Sequence, residues 1–267
     1  MSKIAFDDFG TGEPALLFLP GWCGDRTVFE PLLRRLAPHR RVLSLDLRDH
    51  GGSERTEVDF GTADVVDDAL SVLETAGVNR VVPVGLSHAG WAAIEIRRRL
   101  GADRVPALVL LDWMVLGPPP GFLEALAGLQ SPAWEQVRGA LFEMWTQGID
   151  VPALHTYVAS MGSYGERHWN RAGREIAGAF TEQGSPVAAL STLDAPCPTL
   201  HLYAQPTDDG FLQAQQAFAS DHPWFRVHRL LARSHFPMFE TPDELAKAVE
   251  DFVWLAVAQS GAKVGAR

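Results

Sequence analysis

The segment Val84-Gly85-Leu86-Ser87-His88-Ala89-Gly90-Trp91 sets a serine among small residues, between an apolar run and a helical pattern. A serine on such a sharp strand-to-helix turn is lifted clear of the sheet, and the helix N-terminus behind it aims N–H groups at a developing anion. The glycine usual two places after the serine is Ala89 here, followed by Gly90. The expected base is His235, in Ala232-Arg233-Ser234-His235-Phe236-Pro237, on a loop just before the last helix. A carboxylate must orient that imidazole and stabilise its charged form. Two placements are open: Asp208 or Asp209, after a run ending at Tyr203, or Asp112 in Leu110-Leu111-Asp112-Trp113. Leu19-Pro20-Gly21-Trp22-Cys23-Gly24 follows the first apolar run and is expected to supply an oxyanion N–H from Trp22. The partner N–H belongs to His88, the residue after the serine. Read alone, this set suits acyl transfer, an esterase or amidase with Ser87 as nucleophile.

Five apolar runs must carry these residues: Ala15 to Leu19, Arg41 to Leu45, Arg80 to Val84, Ala107 to Leu111 and Pro198 to Tyr203. Continuous apolar runs suit parallel strands covered on both faces, and helical patterns alternate with them, so the expected fold is a mostly parallel, doubly wound α/β sheet. Thr62 to Ala76 predicts a helix with Val65, Val66, Leu70, Val72 and Leu73 inward, ended by Gly77. Trp91 to Leu100 predicts the helix behind the serine. Thr241-Pro242-Asp243-Glu244 predicts a capping box with proline at the first helical position, then a buried stripe of Leu245, Val249 and Phe252. The tail from Ser260 to Arg267 is expected to fray.

From about Gly117 to about Leu190 the alternation stops and no convincing strand is found. Ser131-Pro132 opens one helix there, with Trp134, Val137, Leu141 and Met144 on one face. The expected division is a sheet core, 1–116 and 191–267, with a helical cap, 117–190, inserted into it. A cap of this kind shapes a pocket and excludes water.

The chain has 267 residues, 46% of them hydrophobic, which fits one large domain with an insertion. The net charge of -10 comes with no basic block, which argues against nucleic-acid binding. Of the nine histidines, His50 reads as structural, and His39, His155, His168, His201, His222 and His228 as bystanders. No pair has metal-ligand spacing and no strand-to-helix dinucleotide fingerprint is present, so no metal or nicotinamide site is expected. Cys23 and Cys197 are expected to be reduced thiols. Without a signal-like N-terminus or a run of ~18 apolar residues, the chain is expected to be cytoplasmic, with no membrane partner. Its oligomeric state is open.

Asp46-Leu47-Arg48-Asp49-His50-Gly51-Gly52-Ser53 resembles the D-x-R-G-H-G-x-S turn of α/β-hydrolases, a scaffold loop held by its own side chains. Together with the serine turn and the late histidine, it implies the α/β-hydrolase fold. A narrower likeness lies in Pro20-Gly21-Trp22-Cys23, Ser87-His88-Ala89-Gly90-Trp91, Asp112-Trp113, Leu141-Phe142-x-x-Trp145, Gln205-Pro206-Thr207, His222-Pro223-Trp224-Phe225 and His235-Phe236-Pro237. In that order they resemble the cofactor-free 3-hydroxy-4(1H)-quinolone 2,4-dioxygenases, including relatives that act on 2-alkyl quinolone signals. The resemblance runs from about Leu17 to about Val249. It implies no cofactor, a small aromatic heterocycle and O2 as partners, and ring cleavage to an N-acylanthranilate and CO, quenching a quinolone quorum signal. It also implies that Asp112, not Asp208 or Asp209, works with His235. Ser87 then hydrogen-bonds the substrate, Trp22 and His88 stabilise negative charge, and Trp145 lines the pocket. Two histidines expected from the quinaldine enzyme are Gly24 and Leu86 here. The expected consequence is a more apolar, roomier pocket that favours a longer 2-alkyl chain such as heptyl.

Overall fold

Four central strands are buried along their entire length: β2 (Ala15–Leu19), β3 (Val42–Leu45), β4 (Val81–Leu86) and β5 (Leu108–Leu111). β6 (Thr199–Tyr203) is buried in the same way. Side chains alternate between faces along a strand, so unbroken burial means that both faces of the sheet are covered. These are the five runs expected from the sequence, with ends shifted by a residue or two. The computed structural model describes residues 3–264.

Two further strands close the edges, β1 (Phe6–Phe9) and β7 (Phe225–Arg229). The sheet order is β1-β3-β2-β4-β5-β6-β7, with β1 antiparallel to β3 and every other pair parallel. Neither edge was expected, because neither has a continuous apolar run. In β7 the buried and exposed positions alternate, and in β1 Asp7 and Asp8 face arginines, Arg26 and Arg41. Charged, half-exposed strands of this kind are what a sheet edge needs to resist pairing with another chain.

α1 (Glu30–Leu36) packs against the C-terminal helix, while α2 (Thr62–Thr75) packs against α3 (Ala89–Arg104), the helix behind Ser87. Gly77 ends α2 at φ 64, in the left-handed region that favours glycine. α3 breaks at Gly101, φ 75, close to the expected end at Leu100. Between β5 and β6 the chain forms α4 (Phe122–Leu129), α5 (Trp134–Thr146), α6 (Pro152–Met161), α7 (Glu166–Gln183) and α8 (Pro186–Ser191). On α5 Trp134, Val137 and Leu141 of the expected face are partly buried and packed against the core, Leu141 and Met144 line the cavity, and Met144 is 53% exposed. α9 (Asp209–Asp221) joins β6 to β7, and α10 (Pro242–Val264) ends the described chain.

The capping box expected at Thr241 is absent. The Thr241 hydroxyl is buried without a partner, and Glu244 instead accepts from the Leu231 N–H and meets His228. Leu245, Val249 and Phe252 are buried as expected. The helix continues to Val264, through part of the tail expected to fray; residues 265–267 lie outside the described residues. Among the described residues, no helix is long and apolar enough to cross a membrane. Cys23 and Cys197 are free and buried.

Candidate active site

Strand order reverses between β2 and β4, because β3 lies on one side and β5 on the other. In an open parallel sheet the crevice beyond the carboxyl ends at such a point is where ligands bind. The chain leaves β2 at Gly21 and Trp22, β4 at Ser87, β5 at Asp112 and β6 at Ala204. All but Ala204 line one cavity of about 890 Å³, together with His88, Trp145 and His235.

Ser87 has φ 53, a left-handed conformation rare outside glycine, and its N–H donates to the Leu111 carbonyl at 2.7 Å. Two glycines make the turn possible. A Cβ on Gly85 would lie 2.7 Å from the Gly90 nitrogen, and one on Gly90 would lie 2.2 Å from the Trp113 ring. The close approach that needs glycine is therefore at position 90, which explains why Ala89 is tolerated where glycine is usual. Among the described residues, neither the Trp22 nor the His88 backbone N–H donates to a protein acceptor. Both are available to a ligand.

Asp112 also has a left-handed backbone, φ 44, and is 3% exposed. Its Oδ2 accepts from the N–H groups of Ala204 at 2.6 Å and Gln205 at 3.1 Å, and its Oδ1 lies 2.8 Å from His235 Nδ1. The imidazole is clamped from the other side by Trp145, whose ring stacks on it at 5.2 Å and 18°. Asp208 and Asp209 are engaged elsewhere: Asp208 caps α9 through the Phe211 N–H, and Asp209 pairs with Arg229. Of the two placements left open by the sequence, the one at Asp112 meets the histidine.

Gly24 lines the cavity and lies against a tyrosine. A Cβ there would lie 2.6 Å from the Tyr157 hydroxyl, which receives the Asp25 N–H at 3.3 Å. A tyrosine from α6 occupies the space that a side chain at position 24 would take, and brings its hydroxyl there. Leu86 does present an apolar side chain to the cavity. Tyr157 was not singled out in the sequence; nothing in its neighbourhood marks it, since it reaches Gly24 from 133 residues away.

Three histidines are buried and kept neutral. Burial pushes His50 down to about 4, His201 to about 4 and His88 to about 3, the last with added repulsion from His235. Each presents a lone pair to a donor. His50 Nε2 accepts from the Cys23 N–H, His201 Nε2 from the Trp113 N–H, and His88 Nδ1 from the Trp113 indole. His201, read from the sequence as a bystander, lies outside the cavity lining but is hydrogen-bonded to the residue after Asp112. A histidine in the middle of an otherwise apolar strand was the available signal.

These histidines predict acid lability. An unfolded histidine titrates near ~6.5, so between about pH 6.5 and 4 the unfolded chain binds more protons than the folded one. Stability contributed by these groups is complete above that window and is lost as the pH falls through it. Thermal melts from pH 8 to pH 4.5 should show Tm level above about 7 and falling below about 6.5; a Tm unchanged down to pH 5 would contradict this.

Among known proteins, residues 16–248 match the model of the alpha/beta hydrolase family. The chain is 35% identical, over 94% of its length and 95% of the relative's, to a 2-heptyl-3-hydroxy-4-quinolone dioxygenase of Rhodococcus erythropolis. It belongs to the 3-hydroxy-4-quinolone 2,4-dioxygenases of the α/β-hydrolase family. A 1H-3-hydroxy-4-oxoquinoline 2,4-dioxygenase of Pseudomonas putida is 32% identical over 90% of this chain and 91% of its own. A solved structure of a protein that recognises and ring-cleaves the Pseudomonas quinolone signal, in complex with its product, superposes with a TM-score of 0.89. It is 35% identical and the match covers 94% of this dioxygenase and 98% of the solved chain. Among the described residues no three or more His, Cys, Asp or Glu side chains gather as a metal site would require.

Proposed function

We propose that this protein cleaves the ring of a 2-alkyl-3-hydroxy-4(1H)-quinolone with O2, giving an N-acylanthranilate and CO. The likeness along nearly the whole chain to enzymes named for this substrate class carries the reading. The Asp112–His235 pair supplies the base. With Nδ1–H held on Asp112, the Nε2 lone pair is free to take the 3-hydroxyl proton. The substrate anion then bonds O2 at C2 as a peroxide, whose terminal oxygen adds to C4. The O–O bond and the two bonds to C3 break. C3 leaves as CO, C4 becomes the carboxylate and C2 the amide carbonyl. Both oxygen atoms remain in the organic product, so no outside reductant is needed.

In this scheme the free N–H groups of Trp22 and His88 stabilise charge on the C4 oxygen. Trp145 holds the imidazole in register, and Ser87 hydrogen-bonds the substrate. Purified protein in air with a panel of 3-hydroxy-4-quinolones should take up O2 and release CO in equal amounts. No uptake with any of them, without added metal, would overturn the reading.

The cavity is near the top of the roughly 300–1,000 Å³ range of pockets that bury drug-sized ligands. Its wall includes Leu116, Phe122, Leu126, Leu141, Met144 and Met161. Burying each extra methylene contributes about 0.8 kcal/mol. The 2-heptyl substrate should therefore have a kcat/KM at least about tenfold above the 2-methyl one; a preference for methyl would remove the long-chain assignment.

The strained Ser87 turn also suits a serine hydrolase. Ser87→Ala separates the two chemistries. Loss of one substrate hydrogen bond costs about 0.5–1.5 kcal/mol, a drop of about tenfold or less. Loss of a nucleophile would cost on the order of 10³-fold or more. Steady-state turnover of a quinolone by Ser87→Ala should fall within the smaller range.

A further inference from the structure

Asp112 sits where β5 ends and the chain turns out of the sheet, and the next peptide N–H, that of Trp113, has lost its place in the parallel ladder. β6 replaces the missing ladder partner with a side chain. The Trp113 N–H donates to His201 Nε2 at 3.2 Å, and His201 Nδ1 lies 2.5 Å from Gln215 Oε1 on α9. Both His201 and Gln215 are 0% exposed. A backbone N–H can only donate, so Nε2 carries the lone pair and Nδ1 the proton, which the Gln215 carbonyl oxygen accepts. That orientation leaves the Gln215 amide nitrogen buried without a partner. A buried unpaired donor is a standing penalty that an apolar pair at these positions would avoid.

The same turn is tied at three other points to the backbone of β6 and of the two residues that follow it. The Asp112 N–H donates to the Leu202 carbonyl, and the N–H groups of Ala204 and Gln205 donate to Asp112 Oδ2. Those three contacts fix the start of the turn and the outer carboxylate oxygen. Among the described residues the His201 contact is the one hydrogen bond made by the peptide N–H that follows Asp112, next to the left-handed φ of 44 from which the carboxylate projects.

We propose that His201, its tautomer pinned by Gln215, is a positioning residue that holds the Asp112–Trp113 peptide and so aims the Asp112 carboxylate at His235. The proposal rests on the reading of Asp112 and His235 as the base pair. His201 does not touch the cavity, so its contribution appears in kcat and leaves KM largely unchanged.

Three variants test it with the 2-heptyl-3-hydroxy-4-quinolone as substrate. His201→Phe keeps a ring that can stack on Tyr203 as His201 does at 5.1 Å, but offers no acceptor. Gln215→Met removes the group that pins the tautomer. His201→Gln keeps an acceptor oxygen near the position of Nε2. His201→Phe and Gln215→Met should lower kcat by about 10-fold to 10²-fold, the scale of a misplaced catalytic group, at nearly constant KM. His201→Gln should recover most of that loss. Imidazole 15N NMR of the wild-type enzyme should show His201 protonated at Nδ1 only, and the His235 signals should move in His201→Phe. If His201→Phe does not fold, Gln215→Met gives the same answer. Folded variants with wild-type kcat, or a His201 proton on Nε2, would overturn the proposal. His235→Ala in parallel separates the two failures: an active His235→Ala defeats the base pair itself, whereas an inactive one beside unaffected His201 and Gln215 variants defeats only the positioning role.

Discussion

His235→Ala lowers kcat for a 3-hydroxy-4-quinolone by about 10²- to 10⁴-fold at neutral pH, the range supplied by a well-placed general base. The imidazole is only 15% exposed and is held between Asp112 and the Trp145 ring. The loss has a particular pH signature. As the pH rises, the substrate's 3-hydroxyl ionises in solution and the enzyme binds the anion ready-made. The deficit of His235→Ala should therefore narrow with increasing pH. O2 uptake across pH 6 to 10 measures it, and a deficit of constant size would mean that the histidine does something other than remove this proton. A serine hydrolase would show no such recovery, because its histidine activates the enzyme's own hydroxyl.

Asp112→Asn and Asp112→Ala fail for different reasons. In Asp112→Asn the side-chain oxygen can still receive the Ala204 and Gln205 N–H groups, which leaves the NH₂ facing His235 Nδ1. The imidazole must then accept at Nδ1 and carry its proton on Nε2, the tautomer that cannot act as base. The fold stays intact, and kcat falls by about 10³-fold or more. In Asp112→Ala both backbone donors lose their acceptor, the buried Ala204 N–H at about 1–3 kcal/mol and the half-buried Gln205 N–H at less. That variant loses activity and several degrees of Tm together. Kinetics with melting curves distinguish the pair; an Asp112→Asn enzyme near wild-type kcat would remove Asp112 from the reaction.

Several residues could be read without coordinates because their signals are local. Ser87 announces itself through the small residues around it, which a left-handed turn between strand and helix requires. The five buried strands announce themselves because a strand covered on both faces must be apolar at every position. His235 stands on a loop before a recognisable helix. The edge strands gave no such signal. β1 carries two aspartates and β7 alternates charge with burial, and both are strands only because a neighbour offers them a ladder. The α10 cap shows the opposite error. Thr241 and Glu244 match the spacing of a capping box, yet Glu244 finds better partners at Leu231 and His228.

The sequence by itself determined the strand–helix alternation, the serine turn, the candidate base and the family, since each is written in contiguous residues or in the order of short motifs. Only the tertiary structure decided which carboxylate serves His235. Asp112 and His235 are 123 residues apart and meet because β5, β6 and the loop before α10 end at one crevice, while Asp208 and Asp209 are drawn off to a helix cap and an arginine. It also decided that Tyr157 fills the space above Gly24, and that His201 holds the turn carrying Asp112. Such contacts depend on where distant backbone segments come together in three dimensions, which no local spacing of residues records.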